Sequence, residues 1–256
     1  MEMYEVIATV TGGASGLGEA TARHIVSTGG KVAIFDLNEE RGQGLVDELG
    51  GENVFYCQTN VTDSLQVEQQ VEAVVKHFGQ INVLINCAGI ATPGKVISQK
   101  GPMELARFEQ IIQVNLIGTF NVLRIAASVM QQNTPNEEGE RGVIINTASV
   151  AAFEGQIGQV AYSASKAGVV GMTLPIAREF ARDGIRVMAI APGLIETPLF
   201  AGLPEEAKSS LARSVPFPNR LGRPSEYAKL VDSILTNPML NGEVIRLDGA
   251  IRMQAK

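Results

Sequence analysis

Two cysteines and two histidines in 256 residues leave little material for a disulfide framework or a metal centre. Cys57 and Cys87 fall on expected strands, and neither His24 nor His77 has a second histidine or cysteine clustered with it, so both histidines read as ordinary helix residues and no metal is expected. Basic runs are also missing. Lys plus Arg total 21 against 27 Asp plus Glu, a formal charge of 21 − 27 = −6, which argues against nucleic acid as the main partner. No run of 18 apolar residues marks a membrane span, and residues 1–5 are too few and too acidic for a signal or transit peptide. A soluble, cytoplasmic chain is the expectation. Internal repeats and low-complexity tracts are absent.

What the chain does contain is a regular alternation of short apolar runs and helical patterns. Its 45% hydrophobic content can fill a sizeable core, and its 27 glycines suit many strand-to-helix turns. Strands are expected at 6–10, 31–35, 54–57, 83–86, 143–147, 186–190 and 243–247, with helices at about 16–27, 39–49, 64–78, 105–130 and 162–181. Residues 134–140, rich in Asn and Glu, read as a surface loop. This order predicts an α/β protein: a single-domain Rossmann fold over 1–256, with a doubly wound, mostly parallel seven-stranded sheet and helices on both faces. Its ligand crevice belongs at the carboxyl ends of the strands.

The first strand runs directly into Thr11-Gly12-Gly13-Ala14-Ser15-Gly16-Leu17-Gly18. Glycines here tighten the turn and let backbone approach a pyrophosphate, while the helix that follows aims its free N–H groups at the negative charge. The second strand ends at Asp36, whose carboxylate is placed to accept both hydroxyls of an adenosine ribose. A 2′-phosphate would meet like charge there, and neither Leu37 nor Asn38 supplies a compensating cation. NAD is therefore expected in preference to NADP.

Tyr162 and Lys166 lie four residues apart, which stacks them on one face of a helix, and Ser149 offers a hydroxyl a short distance upstream. A phenol serving as general base near neutrality needs its pKa of about 10 lowered by roughly 2 to 3 units, or about 3 to 4 kcal/mol of phenolate stabilisation. Lys166, with a cofactor cation nearby, is the expected source.

With these motifs in place the chain resembles the short-chain dehydrogenase/reductase family over essentially its whole length. The resemblance is carried by the glycine turn, by Asn86-Cys87-Ala88-Gly89 after the fourth strand, by Asn115, Ser149, Tyr162 and Lys166, and by Pro192-Gly193 with Thr197 after the sixth strand. It implies a catalytic set of Ser149, Tyr162, Lys166 and Asn115, the last linking the lysine to a proton exit route. It also implies a dinucleotide site built from Gly12, Ser15, Gly16, Leu17, Gly18, Asp36, Asn60, Val61, Cys87, Ala88, Gly89, Tyr162, Lys166, Pro192, Gly193 and Thr197. One departure is Asn60, where the family usually has an Asp that accepts from the adenine amino group. Stretches 142–180, 214–222 and 240–253 are further similar to family members that oxidise 3-hydroxyacyl-CoA thioesters with NAD and also act on 17β-hydroxysteroids. That likeness implies an acyl-CoA substrate and a homotetramer. It also implies, for mitochondrial relatives, a matrix location and a scaffold role with a methyltransferase in transfer RNA processing. Competing readings are a steroid or secondary-alcohol dehydrogenase and a 3-oxoacyl carrier-protein reductase, the latter disfavoured by Asp36.

On the substrate side several readings stay open. Gln156 and Gln159 can donate to a thioester carbonyl or a steroid oxygen, or be plain loop residues. Residues 92–102 are long for a strand-to-helix link, and Lys95 and Lys100 within it face either coenzyme A phosphates or solvent. Residues 194–213, with Leu199, Phe200, Leu203 and Leu211, read as an amphipathic lid or as a helix packed on a subunit interface. Residues 248–253 are expected to continue into such an interface.

Overall fold

The computed structural model describes residues 1–198 and 204–255. Seven strands form one sheet: β1 (Ile7–Thr11), β2 (Lys31–Asp36), β3 (Val54–Gln58), β4 (Val83–Asn86), β7 (Gly142–Thr147), β8 (Ile185–Pro192) and β9 (Val244–Leu247). Two further two-residue strands, β5 (Ile97–Ser98) and β6 (Gly101–Pro102), make a separate antiparallel hairpin. The sheet order is β3-β2-β1-β4-β7-β8-β9, and every pairing in it is parallel. Chain order reverses between β1 and β4. Parallel strands covered on both faces need unbroken apolar runs, and β4, β7 and β8 are buried along their whole length.

Helices cover both faces. Against one face lie α1 (Gly16–Ser27), α2 (Glu39–Leu49) and α8 (Pro224–Thr236), which contribute Ile25, Leu45, Tyr227 and Val231 to a core with Val10, Ile34 and Ile85. Against the other lie α3 (Ser64–Phe78), α5 (Thr119–Met130) and α6 (Val160–Phe180), which bring Val71, Leu123 and Ile176 onto Leu84 and Ile144. Asn38 and Asp63 cap α2 and α3 by accepting from the backbone N–H groups of Arg41 and Gln66, each at 3.0 Å.

The expected helix at 105–130 forms, with one irregular turn, and three other features depart from the sequence expectations. Helix α4 (Leu105–Ile112) continues through a π-helical turn, Gln113–Gly118, into α5, giving one 26-residue rod, Leu105–Met130, long and apolar enough by length and composition to cross a membrane. Half of its most apolar stretch is buried inside this fold, through residues such as Val122, Leu123 and Ala126, so its hydropathy reflects core packing. Helix α8 was not anticipated, nor was the hairpin. Finally, Glu140, at the end of the expected surface loop, is buried against Arg186 of β8. The Arg186 guanidinium also donates to the carbonyl oxygens of Ile234, Leu235 and Leu240, fastening β8 to the end of α8. The histidines have local partners: His24 meets Asp232 at 2.7 Å and His77 stacks on Phe55 at 4.3 Å. Among the described residues no cluster of metal-ligating side chains occurs.

Candidate active site

Parallel strands deliver their carboxyl ends to one edge of the sheet, and the residues singled out above collect there. The glycine turn follows β1, Asp36 ends β2, Asn60 and Val61 follow β3, Cys87–Gly89 follow β4, Ser149 follows β7, and Pro192 closes β8. The turn is tightly built. Gly12 has φ of +63°, and a Cβ there would stand 2.9 Å from the backbone nitrogen of Ala88. A Cβ on Gly18 would collide with the Gly12 carbonyl, so the first turn of α1 is held against the loop with only hydrogen atoms between. Thr197 packs over Gly16 from the β8 side, 3.4 Å from where a Cβ would stand. Ser15 is the residue before the first turn of α1, and Leu17 packs on the core.

Asp36 does more than end a strand. One carboxylate oxygen accepts from Ala14 N–H and the other from Asn38 N–H, both at 3.0 Å, so it ties the glycine turn to the start of α2. The nearest cation in sequence beyond it, Arg41, has its guanidinium on Glu19 at 3.2 Å. Asn60 uses its side-chain oxygen on the N–H and hydroxyl of Thr62, at 3.1 and 2.8 Å, and so serves as a turn residue in this arrangement. Val61 is buried, and its carbonyl accepts from Asn121. The N–H groups of Cys87 and Ala88 both donate to the Thr11 hydroxyl at 3.1 Å, which fixes the chain leaving β4 against the chain leaving β1.

Helix α6 sets Tyr162 and Lys166 on the same side, with the ammonium 5.8 Å from the phenol ring centroid. Lys166 is buried and donates to the carbonyl oxygen of Thr147 at 2.7 Å. Burial lowers its pKa to about 8, well under its ordinary 10.5. In the protein by itself enclosure raises the Tyr162 pKa, and the Ser149 hydroxyl offsets only part of that rise; the expected lowering belongs to Lys166 acting together with a cofactor cation. The cause is the phenol's own loss of hydration, which outweighs the Ser149 hydrogen bond. Ser149 begins a short 3-10 turn, Val150–Ala152, with its hydroxyl accepting from Ala151 N–H at 3.1 Å. Asn115 sits in the π-helical turn and is fully buried. Its amide accepts from Ile90 N–H at 2.8 Å and donates to Ile90 O at 2.9 Å and to the Ser165 hydroxyl at 3.1 Å. Gly89 lies over both, with a notional Cβ 3.3 Å from the Asn115 oxygen and 3.7 Å from the Lys166 nitrogen.

Ser149 and Tyr162 line one cavity of about 320 Å³. Gln156, Gln159, Gly193 and Leu211 line it too. The two glutamine amides are engaged with each other, and the Gln156 side chain also donates to the carbonyl oxygen of Gln254 at 3.1 Å. Of the expected lid, α7 (Glu205–Ser214) brings Leu211 to the cavity, while Leu199, Phe200 and Leu203 lie outside the described residues. Lys95 belongs to a neighbouring groove with Val96 and Ile97, and Lys100 is exposed in the β5–β6 hairpin. Sequence reasoning missed Thr147, which holds Lys166, and Met253, which lines the cavity from the far end of the chain. Only the first had a local signal, as the last residue of β7 two positions before Ser149.

A glycine turn at the switch point of a doubly wound sheet, with serine, tyrosine and lysine gathered at neighbouring strand ends, defines an oxidoreductase of the nicotinamide-dinucleotide class. The chain belongs to the short-chain dehydrogenase family, whose profile matches residues 6–208. It is 54% identical over 251 residues to 3-hydroxyacyl-CoA dehydrogenase type-2 of Rattus norvegicus and 55% identical over 251 residues to the protein of that name from Homo sapiens, in each case covering 97% of this chain and 96% of the relative. The crystal structure of 3-hydroxyacyl-CoA dehydrogenase type-2 from Mycobacterium avium superposes with a TM-score of 0.94 at 43% identity, covering 98% of this chain and 97% of that one.

Proposed function

We propose that the chain oxidises 3-hydroxyacyl-CoA to 3-oxoacyl-CoA with NAD, and reduces it in reverse. The observation that carries the chemistry is the shared cavity of Ser149 and Tyr162 with the Lys166 ammonium behind the ring. The substrate class rests on the length and level of identity to the relatives that bear that activity in their names. Tyr162 takes the alcohol proton, Ser149 holds the substrate oxygen, and Lys166 supplies positive charge that favours the phenolate. Asn115 steadies the loop after β4 through Ile90 and the helix of the lysine through Ser165. Bound NAD supplies the hydride acceptor and a formal positive charge within the site. The residues fit that group: glycines leave room where a Cβ would intrude, and Asp36 ends β2 while Arg41, the nearest cation beyond it in sequence, is held by Glu19. Residues 1–256 serve as one dinucleotide-binding domain, with α7 acting as a lid through Leu211.

Assembly as a homotetramer is the reading that covers Ile117 and Phe120 on the α4–α5 rod and Leu174 on α6, which are 45%, 47% and 44% exposed. Initial rates with acetoacetyl-CoA and NADH, against NADPH, a steroid panel and a carrier-protein thioester, test the assignment. The acyl-CoA and NADH pair is expected to dominate; silence on every acyl-CoA beside efficient turnover of another alcohol overturns it.

A further inference from the structure

We propose that the C-terminal segment 251–255 is a fixed wall of the substrate cleft, in which Met253 limits the size of the acyl group admitted and Glu154 is the positioning residue that holds the segment in place. This rests on the acyl-CoA reading above and assigns the part of the site that receives the carbon chain.

Chain ends fray unless they are tied down. This one is tied on two sides. On its polar side, Met253 N–H donates to the Glu154 carboxylate at 3.2 Å. Arg246 of β9 grips the same carboxylate through two bonds of 2.9 and 3.0 Å, and also donates to Asp248 at 2.7 Å and to the Ile251 carbonyl at 3.0 Å. Arg252 approaches Glu154 at 3.3 Å, and the Arg246 guanidinium lies 5.4 Å above the Phe153 ring. Single exposed ion pairs contribute little, but a two-pronged arginine shared among two carboxylates and a carbonyl fixes geometry. The loop after Ser149 reaches back: Gln156 donates to Gln254 O, and Ile157 N–H to Ala255 O at 3.0 Å. On its apolar side, Ile251 is 2% exposed and packs with Leu194 and Val215, with Leu211 and Met253 against the same group.

Glu154 therefore sits five residues after Ser149 and joins that loop, β9 and the tail. Met253 is thereby presented to the cavity that Ser149 and Tyr162 line, beside Leu194 and Leu211. None of the described residues lining that cavity is charged, so it suits a carbon chain and not the phosphates of a coenzyme A head. A methionine there fills the space that a longer chain would need.

The test measures kcat and KM for straight 3-hydroxyacyl-CoAs of increasing length in the unaltered chain, Met253→Ala, Glu154→Gln and the double variant. Met253→Ala is expected to shift the kcat/KM ratio of long over short substrates by about tenfold, the scale of one apolar contact in a pocket. Glu154→Gln is expected to raise KM for short chains with kcat within about twofold, and to add little on top of Met253→Ala, since it acts through the same wall. An unchanged length profile in Met253→Ala overturns the proposal. So does a Glu154→Gln variant that loses kcat equally at every length, which marks a general structural role. If the unaltered chain turns over no acyl-CoA, the substrate reading fails, and the same variants are compared on a length series of whichever secondary alcohol it does oxidise; the wall stands or falls on that profile.

Discussion

Replacing Lys166 by Met should change how stability depends on pH. Lys166 is 5% exposed, and burial lowers its pKa from 10.5 to about 8. A folded-state pKa below the unfolded value means that the contribution to stability is complete above the unfolded pKa and is lost as pH falls through the folded one. At pH 7 the fold thus carries a buried charge that costs it about 3 kcal/mol relative to strongly alkaline solution. Met keeps the length of the side chain and removes the charge, but forfeits the 2.7 Å bond to Thr147 O, a loss of about 1 kcal/mol or somewhat more. Net stabilisation of about 1 to 2 kcal/mol is expected at pH 7 for the variant without cofactor. Urea unfolding of both proteins at pH 7 and near pH 10 separates the two effects. Only the ionic part changes with pH, so the advantage of the variant should shrink by about 2 to 3 kcal/mol across that interval. A difference that stays constant with pH refutes the account of Lys166 as a desolvated ammonium.

Asp36→Ala removes an acceptor for ribose hydroxyls and also releases Ala14 N–H and Asn38 N–H. NADH affinity should fall by at least about tenfold while NADPH loses less, narrowing the preference; fluorescence titration with both cofactors checks this, and an unchanged ratio counts against it. Glu140→Ala strands the buried Arg186 guanidinium and should cost about 3 to 5 kcal/mol in urea unfolding, without altering NADH affinity, because the pair lies away from the strand ends that form the site.

The glycine turn, Asp36 and the Tyr162–Lys166 pair were legible because each is a local pattern, a strand followed at once by its turn or two side chains one helical turn apart. What escaped depends on distance or on short elements. Helix α8 begins at Pro224 after a loop broken by Pro216 and Pro218, and its buried set Tyr227, Val231, Ile234 and Leu235 is short enough to be overlooked. The β5–β6 hairpin has two residues a side and no room for a period. The partner of Gln156 is 98 residues away, and Glu140 meets Arg186 across 46 residues, so neither contact has a neighbour in sequence to announce it. Helical spacing brought Tyr162 and Lys166 together correctly, yet the direction of the phenol shift depends on burial, which spacing does not encode.

Single-turnover oxidation of a 3-hydroxyacyl-CoA by Tyr162→Phe, paired with NADH titration, tests the central claim most directly. The variant keeps the ring and loses the proton acceptor, so hydride transfer should fall by at least about 100-fold with NADH affinity preserved. Near-normal hydride transfer in that variant would contradict the assignment of Tyr162 as the base.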